Sequence, residues 1–438
     1  MKKVYMFPKG GISFADSFKD PTIPHKKESE RAFLPNISVI PLIQHSGAKA
    51  TPLISVGDMV KEGMLIARAQ GKGSSNIHAT IPGKVIDSVT WEMVKGAENS
   101  AFVISLGGSF DKLGKIERVY SWNELSPITI QQIISDYGVV EMEGLGKPLS
   151  EILVSTLSVS SDEKTLVVRC VFDDPWLSAD YVLCKEKFKS IVEGSAIVCK
   201  CCEINRIVFA FSQKEKDLAD IFLEEARQYN ELDASVMITG SIYPQKNRRE
   251  LEIALKDYER IEGYNLGSFL MLGPATLSAV YDAVKLKKPI LDRYVAVGGS
   301  AIRYPDVMKV RIGTRLSDIF AECGGFKGEP QRVIIGSPLS GRKAVSLDEP
   351  IVKTTYAIGA FLEGEKTIRR SCVGCGECRM VCPVELDPEA LFKEIEIAGR
   401  IPENAQYCHA CGCCDLVCPS RLPLSIIINN AFSTGNKK

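Results

Sequence analysis

Eight cysteines near the C-terminus of this 438-residue chain are spaced in a way that favours iron–sulfur chemistry. They lie in a first cysteine segment, 371–383 (SCVGCGECRMVCP), and a second, 407–419 (YCHACGCCDLVCP), both of the form C-x2-C-x2-C-x3-C-P. Thiolate sulfur is the soft ligand that iron–sulfur centres select, and three thiolates at this spacing can wrap one cluster on a tight loop. The spacing therefore predicts two [4Fe–4S] clusters.

The fourth cysteine of each segment precedes a proline, which turns the chain, so it is predicted to reach the cluster of the other segment. The first cluster is then held by Cys372, Cys375, Cys378 and Cys418, and the second by Cys408, Cys411, Cys414 and Cys382. Structural zinc and a disulfide framework are the alternatives, but zinc sites rarely combine three evenly spaced thiols with a Cys-Pro. Cys413 is predicted to be a small buried residue, because eight ligands already complete both clusters. No residue is assigned a catalytic role.

The segment between the two sets of ligands is predicted to be helical. Asp387 can cap the helix N-terminus, with Pro388 at the first helical position. Leu391, Ile395 and Ile397 are expected to give this helix an apolar side that faces the clusters.

The composition of the chain excludes some functions and some compartments. Lys and Arg together number 54, as do Asp and Glu, so no excess of positive charge indicates nucleic-acid binding. Fifteen cysteines, with eight in cluster spacing, indicate a reducing compartment. Pro8 and Lys9 interrupt any apolar stretch of a signal peptide, and no segment approaches the roughly 20 apolar residues of a membrane span. We therefore expect a chain that is soluble by itself and contacts a membrane only indirectly.

The first part of the chain is predicted to hold an extended arm, residues 1–35, followed by a β module at 36–110. In the module, apolar and polar residues alternate in short runs that glycines separate, as in the barrel-sandwich fold of biotinyl and lipoyl carrier domains. Lys72 lies near the hairpin tip that carries the modified lysine of those domains, but its neighbours differ, so we predict a structural module. His45 and His78 are predicted to be packed or hydrogen-bonded.

Alternating strands and helices between residues 121 and 288 predict a Rossmann-like α/β domain with a parallel sheet. The predicted elements are strands at 166–172, 206–212 and 235–239, a helix at 214–229 and another helix within 266–286. Cys199, Cys201 and Cys202 have no His or Cys partner nearby in the sequence, so we predict that they are buried structural thiols.

Two further units complete the predicted fold. Residues 289–352 are rich in β runs, with one short helix near 316–322, which indicates a small β-grasp-like module. The cluster cysteines belong to a ferredoxin-like α domain at 365–430. The expected fold class is thus multidomain, α/β plus β, with a barrel-sandwich module, a Rossmann-like α/β domain, a β-grasp-like module and a C-terminal two-cluster ferredoxin-like domain.

This order of modules resembles the RnfC family, and the resemblance covers nearly the whole chain. The motifs that carry it are KGGI (9–12), PLIQHSGA (41–48), VGDMVKEG (56–63), IHATIPGKV (77–85), CGGF (323–326), VIIGSPLSG (333–341), VKTTYAI (352–358) and CGCCDLVCPSRLPL (411–424). RnfC is the soluble subunit of the Rnf complex, which couples electron transfer between ferredoxin and NAD to ion pumping. The resemblance implies a site for flavin mononucleotide (FMN) and NADH in the α/β domain, beside the two clusters.

The sequence departs from the family at three segments of the implied FMN and NADH site. The family's glycine-rich loop, close to GGAGFP, here reads GVVEMEGLGKP at 138–148, with Glu141 and Glu143 where glycines are expected. An acidic ECEP-type segment becomes VFDDPW at 171–176, and a YPQ segment continues as Lys-Asn-Arg at 246–248. Such loops need glycine so that backbone N–H groups approach phosphate closely, and two carboxylates add bulk and like charge.

The residues that still match the family at these segments, together with one new cation, are the candidate FMN and NADH contacts: Gly144, Gly146, Lys147, Asp173 and Asp174. Lys147 stands where the family has an aromatic residue and could contact phosphate. We predict that the fold is retained while ordinary FMN and NADH binding is impaired or altered.

The predicted function is that of an electron-transfer subunit of an Rnf-type ion-translocating oxidoreductase, with integral membrane and ferredoxin-like Rnf subunits as partners. The resemblance implies a peripheral subunit on the cytoplasmic side of the inner membrane. The alternative is an RnfC-related soluble carrier that feeds electrons to a reductase of the amino-acid reductase type. A scaffold without redox chemistry is a third alternative, against which the eight intact cluster ligands argue.

Overall fold

The structure of the chain, a computed structural model, describes residues 3–14, 20–24, 32–94, 97–113, 115, 117–159, 163–362 and 368–435. Its strands are Ala32–Phe33 (β1), Ile37–Pro41 (β2), Thr51–Pro52 (β3), Met59–Val60 (β4), Leu65–Arg68 (β5), Ile77–His78 (β6), Gly83–Val94 (β7), Ala97–Leu106 (β8), Lys164–Cys170 (β9), Arg206–Ser212 (β10), Asp233–Thr239 (β11), Ser268–Leu272 (β12), Asp292–Gly298 (β13), Asp306–Arg311 (β14), Arg332–Ile335 (β15), Arg342–Lys343 (β16) and Ala357–Phe361 (β17). Its α-helices are Pro127–Asp136 (α1), Leu149–Leu157 (α2), Ser178–Cys202 (α3), Lys216–Ala226 (α4), Arg248–Glu262 (α5), Pro274–Lys285 (α6), Leu316–Glu322 (α7), Glu377–Met380 (α8), Pro388–Phe392 (α9), Cys413–Val417 (α10) and Leu424–Gly435 (α11).

Two small antiparallel sheets form the N-terminal β module. One has the strand order β2-β8-β7-β4 and the other has the order β3-β5-β6. Their inner faces pack around Ile40, Ile66, Ile77 and Ile104, which are fully buried. The alternation of apolar and polar residues in the sequence has this cause, because each strand buries one face and exposes the other.

The hairpin tip of this module packs against the α/β domain rather than extending into solvent. The backbone N–H of Gly73 donates to Glu151 Oε1, in α2, at 2.6 Å. The ring of His45 hydrogen-bonds to a backbone carbonyl of its own turn at 2.7 Å, and His78 stacks on Tyr137. Burial lowers the pKa of both histidines, that of His78 to about 3, so both are neutral. The prediction that they are packed and hydrogen-bonded is confirmed.

A four-stranded parallel sheet in the order β11-β10-β9-β12 forms the centre of the α/β domain. Its strands are nearly continuous apolar runs, because helices cover both faces of the sheet. Helices α1 to α4 and α6 pack on one face with Leu166 and Phe209, and α5 packs on the other face with Val167 and Val208. The carboxyl ends of β9, β11 and β12 meet at one edge, which is where α/β sheets bind ligands.

The three clustered cysteines of this domain lie at the C-terminal end of α3. Cys199, Cys201 and Cys202 are fully buried. The thiol of Cys201 contacts the carbonyl oxygen of Pro127 at 3.7 Å, and that of Cys202 contacts the carbonyl oxygen of Leu153 at 3.9 Å. These contacts with α1 and α2 agree with a structural role.

A mixed sheet in the order β1-β14-β13-β17-β15-β16 follows the α/β domain and packs with α7; residues 292–361 form what we name the mixed-sheet unit. Strand β1 comes from the segment predicted as an extended arm and pairs in parallel with β14. The N-terminal segment is therefore part of a sheet contributed mainly by residues about 260 positions later, which the sequence pattern does not reveal.

Helices α8 to α11 surround the two cysteine segments. Helix α9 begins as predicted, since Asp387 accepts a hydrogen bond from the backbone N–H three residues later at 3.1 Å. Leu391 is buried and Ile395 packs beside it, but Ile397 is 77% exposed. The prediction that Ile397 faces the clusters is wrong, because a π-helical turn at Lys393–Ile397 widens the helix and turns this side chain outward.

Strand β10 and helix α7 have the predicted bounds, 206–212 and 316–322. Helix α4 is shorter than the predicted 214–229, because its first residues form the 3-10 turn Gln213–Glu215 and the helix ends at Ala226. The predicted start of the cluster domain at 365 lies outside the described residues. In the part of the chain that the structure describes, no helix is long and apolar enough to cross a membrane.

Candidate functional site

The eight cysteines of the two segments line two separate cavities. One cavity is lined by Cys372, Cys375, Cys378 and Cys418. The other is lined by Cys382, Cys408, Cys411 and Cys414, with Cys413 beside them. Each cavity thus combines three cysteines of one segment with the fourth cysteine of the other. Over the described ranges, no three His, Cys, Asp or Glu side chains are arranged to hold a single metal ion.

The backbone conformation repeats between the two segments, whose cysteines are 36 positions apart. Gly376 and Gly412 have φ of +77° and +80°, and Glu385 and Arg421 have φ of +53° and +55°. Positive φ is costly for residues with a Cβ atom, so its recurrence at two unlike side chains indicates that the loop geometry imposes it. The two halves form equivalent cradles for their ligands.

Backbone donors point at the sulfur of the fourth cysteine in each segment. The N–H of Leu386 donates to Cys382 Sγ at 3.3 Å, and the N–H of Leu422 donates to Cys418 Sγ at 3.5 Å. Hydrogen bonds to cluster thiolates stabilise their negative charge and tune the reduction potential. Four thiols around each cavity, with a backbone donor to one of them, fit an iron–sulfur cluster.

Cys413 is buried beside these ligands, and its thiol hydrogen-bonds to Cys411. This contact raises the pKa of Cys413 and lowers the pKa of Cys411 to about 7. The equivalent position in the first segment is Glu377, which is exposed. Cys413 is therefore not part of the ligand set that the two segments share.

The second cavity lies against the α/β domain. The Tyr243 hydroxyl donates to the backbone oxygen of Cys411 at 2.8 Å, and His409 Nε2 lies 3.3 Å from Glu250 Oε1 in α5. By contrast, Cys375 in the first cavity is exposed. The two cavities therefore have different surroundings, one at the domain boundary and one at the surface.

A polar cavity of about 190 Å³ adjoins the second cysteine cavity at the carboxyl edge of the parallel sheet. The charged residues that line it come from the segments after β9 and β11 and from the loop before α2, and include Glu143, Arg169, Asp173, Asp174, Asp180 and Lys246. Cys411 and His409 also contact it, so this cavity and the second cluster site share a wall. We name it the edge cavity.

Most charges around the edge cavity are paired with each other. Lys246 Nζ lies 2.8 Å from Asp180 Oδ2, and Arg169 Nη2 lies 3.4 Å from Glu141 Oε1. Burial acts to raise the pKa of Asp180, but Lys246 and Arg293 together lower it below its ordinary value. The cations that could attract an anionic ligand are thus largely neutralised by side chains of the same chain.

Asp173 and Asp174 are both buried in the wall of the edge cavity. Burial raises the pKa of both, that of Asp173 to about 7; the backbone N–H of Lys246, 3.0 Å from Asp173 Oδ2, opposes this rise and Asp174 adds to it. Asp174 also accepts a hydrogen bond from the N–H of Trp176 at 3.0 Å. Both carboxyls are therefore held by the protein itself.

Three of the five predicted FMN and NADH contacts lie outside the edge cavity. Gly144 and Lys147 are exposed. Gly146 is buried against the barrel-sandwich module, where a backbone N–H donates to its carbonyl oxygen at 3.2 Å. Only Asp173 and Asp174 line the cavity, so the structure does not bring the five residues together.

Glu143 binds the N-terminus of helix α6. Its Oε1 accepts hydrogen bonds from the backbone N–H groups of Ala275, at 2.8 Å, and Thr276, at 3.1 Å, and the Thr276 hydroxyl donates to Oε2. A helix N-terminus after a strand of a parallel sheet is a common phosphate site. Because a carboxylate of the chain uses these donors, the residues present do not fit a nucleotide phosphate here.

The sequence analysis missed the partners of these acidic residues. Lys246 and Asp180 are 66 positions apart, and no local pattern links them. The donors of α6 had a signal that went unused, because Gly273 and Pro274 directly follow an apolar strand and mark a helix start.

Profiles of known families match three stretches of the chain. The RnfC barrel sandwich hybrid domain matches residues 8–109. The Nuo51 FMN-binding domain matches residues 134–267, and the NQRA C-terminal domain matches residues 294–346. The multidomain fold predicted from the sequence is confirmed at this level.

Curated relatives match most of the chain, and each is the C subunit of a membrane oxidoreductase complex. The chain is 30% identical over 388 residues to that of the proton-translocating ferredoxin:NAD(+) oxidoreductase complex of Clostridium ljungdahlii, across 87% of this chain and 83% of that protein. It is 31% identical to that of the ion-translocating oxidoreductase complex of Rhodobacter capsulatus, across 84% and 71%. The counterpart in the Na(+)-translocating ferredoxin:NAD(+) oxidoreductase complex of Acetobacterium woodii is 25% identical, across 83% and 84%.

A solved structure with a similar fold is the NAD+-reducing [NiFe]-hydrogenase in the air-oxidized state. The TM-score is 0.50 at 15% sequence identity, and the match covers 71% of this chain and 66% of that chain, just under two thirds. At this identity the likeness concerns the fold alone.

Proposed function

Because this chain belongs to the RnfC family, we propose that it is the electron-transferring RnfC component of an ion-translocating ferredoxin:NAD(+) oxidoreductase complex. Its electron carriers would be two [4Fe–4S] clusters, which supply one-electron transfer when bound. The proposed ligands are Cys372, Cys375, Cys378 and Cys418 for the first cluster and Cys408, Cys411, Cys414 and Cys382 for the second.

The observation that carries this proposal is the grouping of the cysteines around two cavities. Three cysteines of one segment and the fourth of the other line each cavity, and the backbone of the two segments repeats. Leu386 and Leu422 donate to the sulfur atoms of the crossing cysteines. These features support a pair of clusters whose thiolates are held, and partly shielded from water, by the same local fold used twice.

The surroundings of the two cavities favour a direction for the electron path. The second cavity is fastened to the α/β domain through Tyr243 and His409. The first cavity is near the surface, where Cys375 is exposed and Val373 is 70% exposed. We therefore assign contact with a redox partner to the side of the first cluster.

The proposed partners are the other subunits of an Rnf complex, including its integral membrane and ferredoxin-like subunits. The proposal includes a peripheral position on the cytoplasmic side of the inner membrane, reached through those subunits. The proposed domain bounds remain 1–35, 36–110, 121–288, 289–352 and 365–430. The isolated chain should then not bind protein-free liposomes, and tight binding in a flotation assay would contradict attachment through partners.

Anaerobic purification followed by iron, sulfide and zinc analysis tests the proposed carriers. About eight irons and about eight sulfides per chain are expected for two [4Fe–4S] clusters. Dithionite reduction should give electron paramagnetic resonance signals of two interacting clusters. A preparation that contains zinc in place of iron would contradict the proposal.

A further inference from the structure

We propose that the α/β domain carries its own substitute for a nucleotide phosphate: the Glu143 carboxylate, bound to the N-terminus of helix α6, keeps FMN out of that position. The inference goes beyond the proposed electron transfer and does not depend on the clusters. Its failure would leave the cluster assignment unchanged, because the two are measured separately.

The hydrogen-bond donors of this helix end are fully used. Helix α6 begins with Pro274, which has no N–H, so the first donors it offers are the N–H groups of Ala275 and Thr276. Glu143 accepts from both, and also from the Thr276 hydroxyl. Thr276 is completely buried, and its hydroxyl oxygen accepts a hydrogen bond from the N–H of Met142 at 2.9 Å. An incoming phosphate would have to displace Glu143 to find the same donors.

The residue before the helix provides an independent sign that the site is shaped around Glu143. Gly273 has φ −96° and ψ 168°, an ordinary extended conformation that any residue can adopt. A Cβ atom at this position would overlap the side chain of Glu143. The space that glycine leaves is therefore filled by the carboxylate. Gly144 plays a similar part for Glu141, whose Oε2 would lie 2.6 Å from an added Cβ.

The loop that carries the two glutamates is held on both sides. The N–H of Glu141 donates to the carbonyl oxygen of Lys147 at 2.8 Å, which closes the loop, and the Glu141 side chain pairs with Arg169. Glu143 is thus presented from a fixed loop rather than from a free chain end. A tethered group competes at an effective concentration that reaches the millimolar range or above, so a free phosphate competes poorly.

Charge and space at the neighbouring edge cavity act in the same direction. The phosphate of FMN would bring a charge of about −1.5 to −2 next to Glu143 and Glu141. The cavity volume of about 190 Å³ is below the roughly 300 Å³ at which typical small-molecule sites begin. The domain therefore keeps the nucleotide-binding fold with its anion position already filled.

Chemical rescue of Glu143→Ala in the full, cluster-loaded chain tests this inference. Removal of the carboxylate leaves the α6 donors open, so the unfolding temperature should fall by roughly 2–4 °C, and millimolar inorganic phosphate should restore much of it. Sodium chloride at equal ionic strength should not. Ser126→Ala is the matched control, because it removes an N-cap from α1 in the same domain, where Ser126 accepts from the N–H of Thr129 at 3.2 Å. Phosphate should rescue neither this variant nor the unmodified protein.

FMN binding gives the second measurement. Fluorescence titration should show no saturable binding to the unmodified protein, and Glu143→Ala should bind FMN at least about tenfold more tightly. Glu143→Gln, which keeps the shape and still fills the site, should not gain affinity. About one FMN per purified unmodified chain, or an equal phosphate effect on all variants, would overturn the inference.

A measurement on the unmodified protein decides the question if Glu143→Ala does not fold. Hydrogen exchange of the Ala275 and Thr276 amides should be slow and should not change when FMN or phosphate is added. Protection that increases with FMN at these amides would show that the ligand, and not Glu143, takes the donors.

Discussion

Asp173 is the side chain of the edge cavity whose ionisation depends most on its surroundings. It is 3% exposed, and burial raises its pKa from an ordinary 3.8 to about 7. Between these values the folded protein binds a proton that the unfolded chain releases. The contribution of Asp173 to the free energy of unfolding therefore falls as the pH rises from about 4 to about 7.

The variant Asp173→Asn cannot ionise and should lack this loss. Compared with the unmodified protein, its free energy of unfolding should be more favourable near pH 8 than near pH 5, by on the order of a few kcal/mol. Urea unfolding under anaerobic conditions at both pH values measures the difference. Asp217→Asn, at an exposed position of α4, is the control for the loss of one carboxylate. An equal effect of Asp173→Asn at both pH values would contradict the assigned role of burial.

The cysteine ligands and the acidic pairs show what a sequence can and cannot predict at the residue scale. The eight cysteines were identifiable because their order is local and occurs twice. The contact between Glu143 and Thr276 spans 133 positions, so the sequence predicted that Glu143 repels a phosphate but not that it replaces one. The physical reason is that a carboxylate and a phosphate compete for the same kind of donor.

The N-terminal arm is the element that links the α/β domain to the cysteine segments. The N–H of Gly11 donates to the carbonyl oxygen of Val381 at 2.9 Å. Ile12 and Tyr243 exchange two backbone hydrogen bonds, both 2.9 Å long. Since Tyr243 also holds the backbone of Cys411, the arm, the α/β domain and the second cysteine cavity form one connected contact.

A substitution at Gly10 should weaken this contact. Gly10 has φ +75°, and a Cβ atom there would lie 2.6 Å from the carbonyl oxygen of Cys382, a ligand of the second cluster. Gly10→Ala should therefore release the arm and make the absorbance of that cluster decay severalfold faster in air. Gly57→Ala is the control, because its φ of +103° is also strained but nothing lies within 4 Å of the added atom. Equal decay rates for the two variants would contradict the role of the arm.

Element prediction succeeded where the pattern is local. Strand β10 is a continuous apolar run and α9 has both its N-cap and its proline, so each was predictable from its own residues. The π-helical turn that exposes Ile397 has no such signal. The pairing of β1 with β14 was also unpredictable, because two residues are too few to show a period.

Lys353 shows how the units are joined in the whole molecule. It lies in the mixed-sheet unit, and its Nζ donates to the carbonyl oxygens of Asn76, at 2.9 Å, and Gly138, at 2.7 Å. These belong to the barrel-sandwich module and to the α/β domain. Burial lowers the pKa of Lys353 to about 7. One buried side chain thus connects three units.

The order of the units was predictable from their motifs, but their packing was not. Lys353 was noticed as part of the VKTTYAI motif, yet its partners are backbone carbonyls, which any residue type supplies. Contacts of this kind leave no trace in the partner's sequence. The sequence therefore predicted which modules are present and where the cluster ligands lie, and the structure was needed to show how the modules contact each other.

The claim on which the whole account depends is that each of two clusters is built from both cysteine segments. Cys418→Ala tests it, because Cys418 belongs to the second segment but lines the cavity of the first. Cys375→Ala and Cys411→Ala provide reference spectra for the loss of the first and the second cluster. Cys413→Ala is the control, since it removes a buried thiol outside the shared ligand set.

Iron analysis and electron paramagnetic resonance of these four variants, all prepared anaerobically, form the most direct measurement. Cys418→Ala should retain about four of about eight irons, and its spectrum should match that of Cys375→Ala. Cys413→Ala should retain both clusters. A Cys418→Ala spectrum that matches Cys411→Ala instead would contradict the crossed ligation, and zinc in place of iron would contradict the clusters themselves.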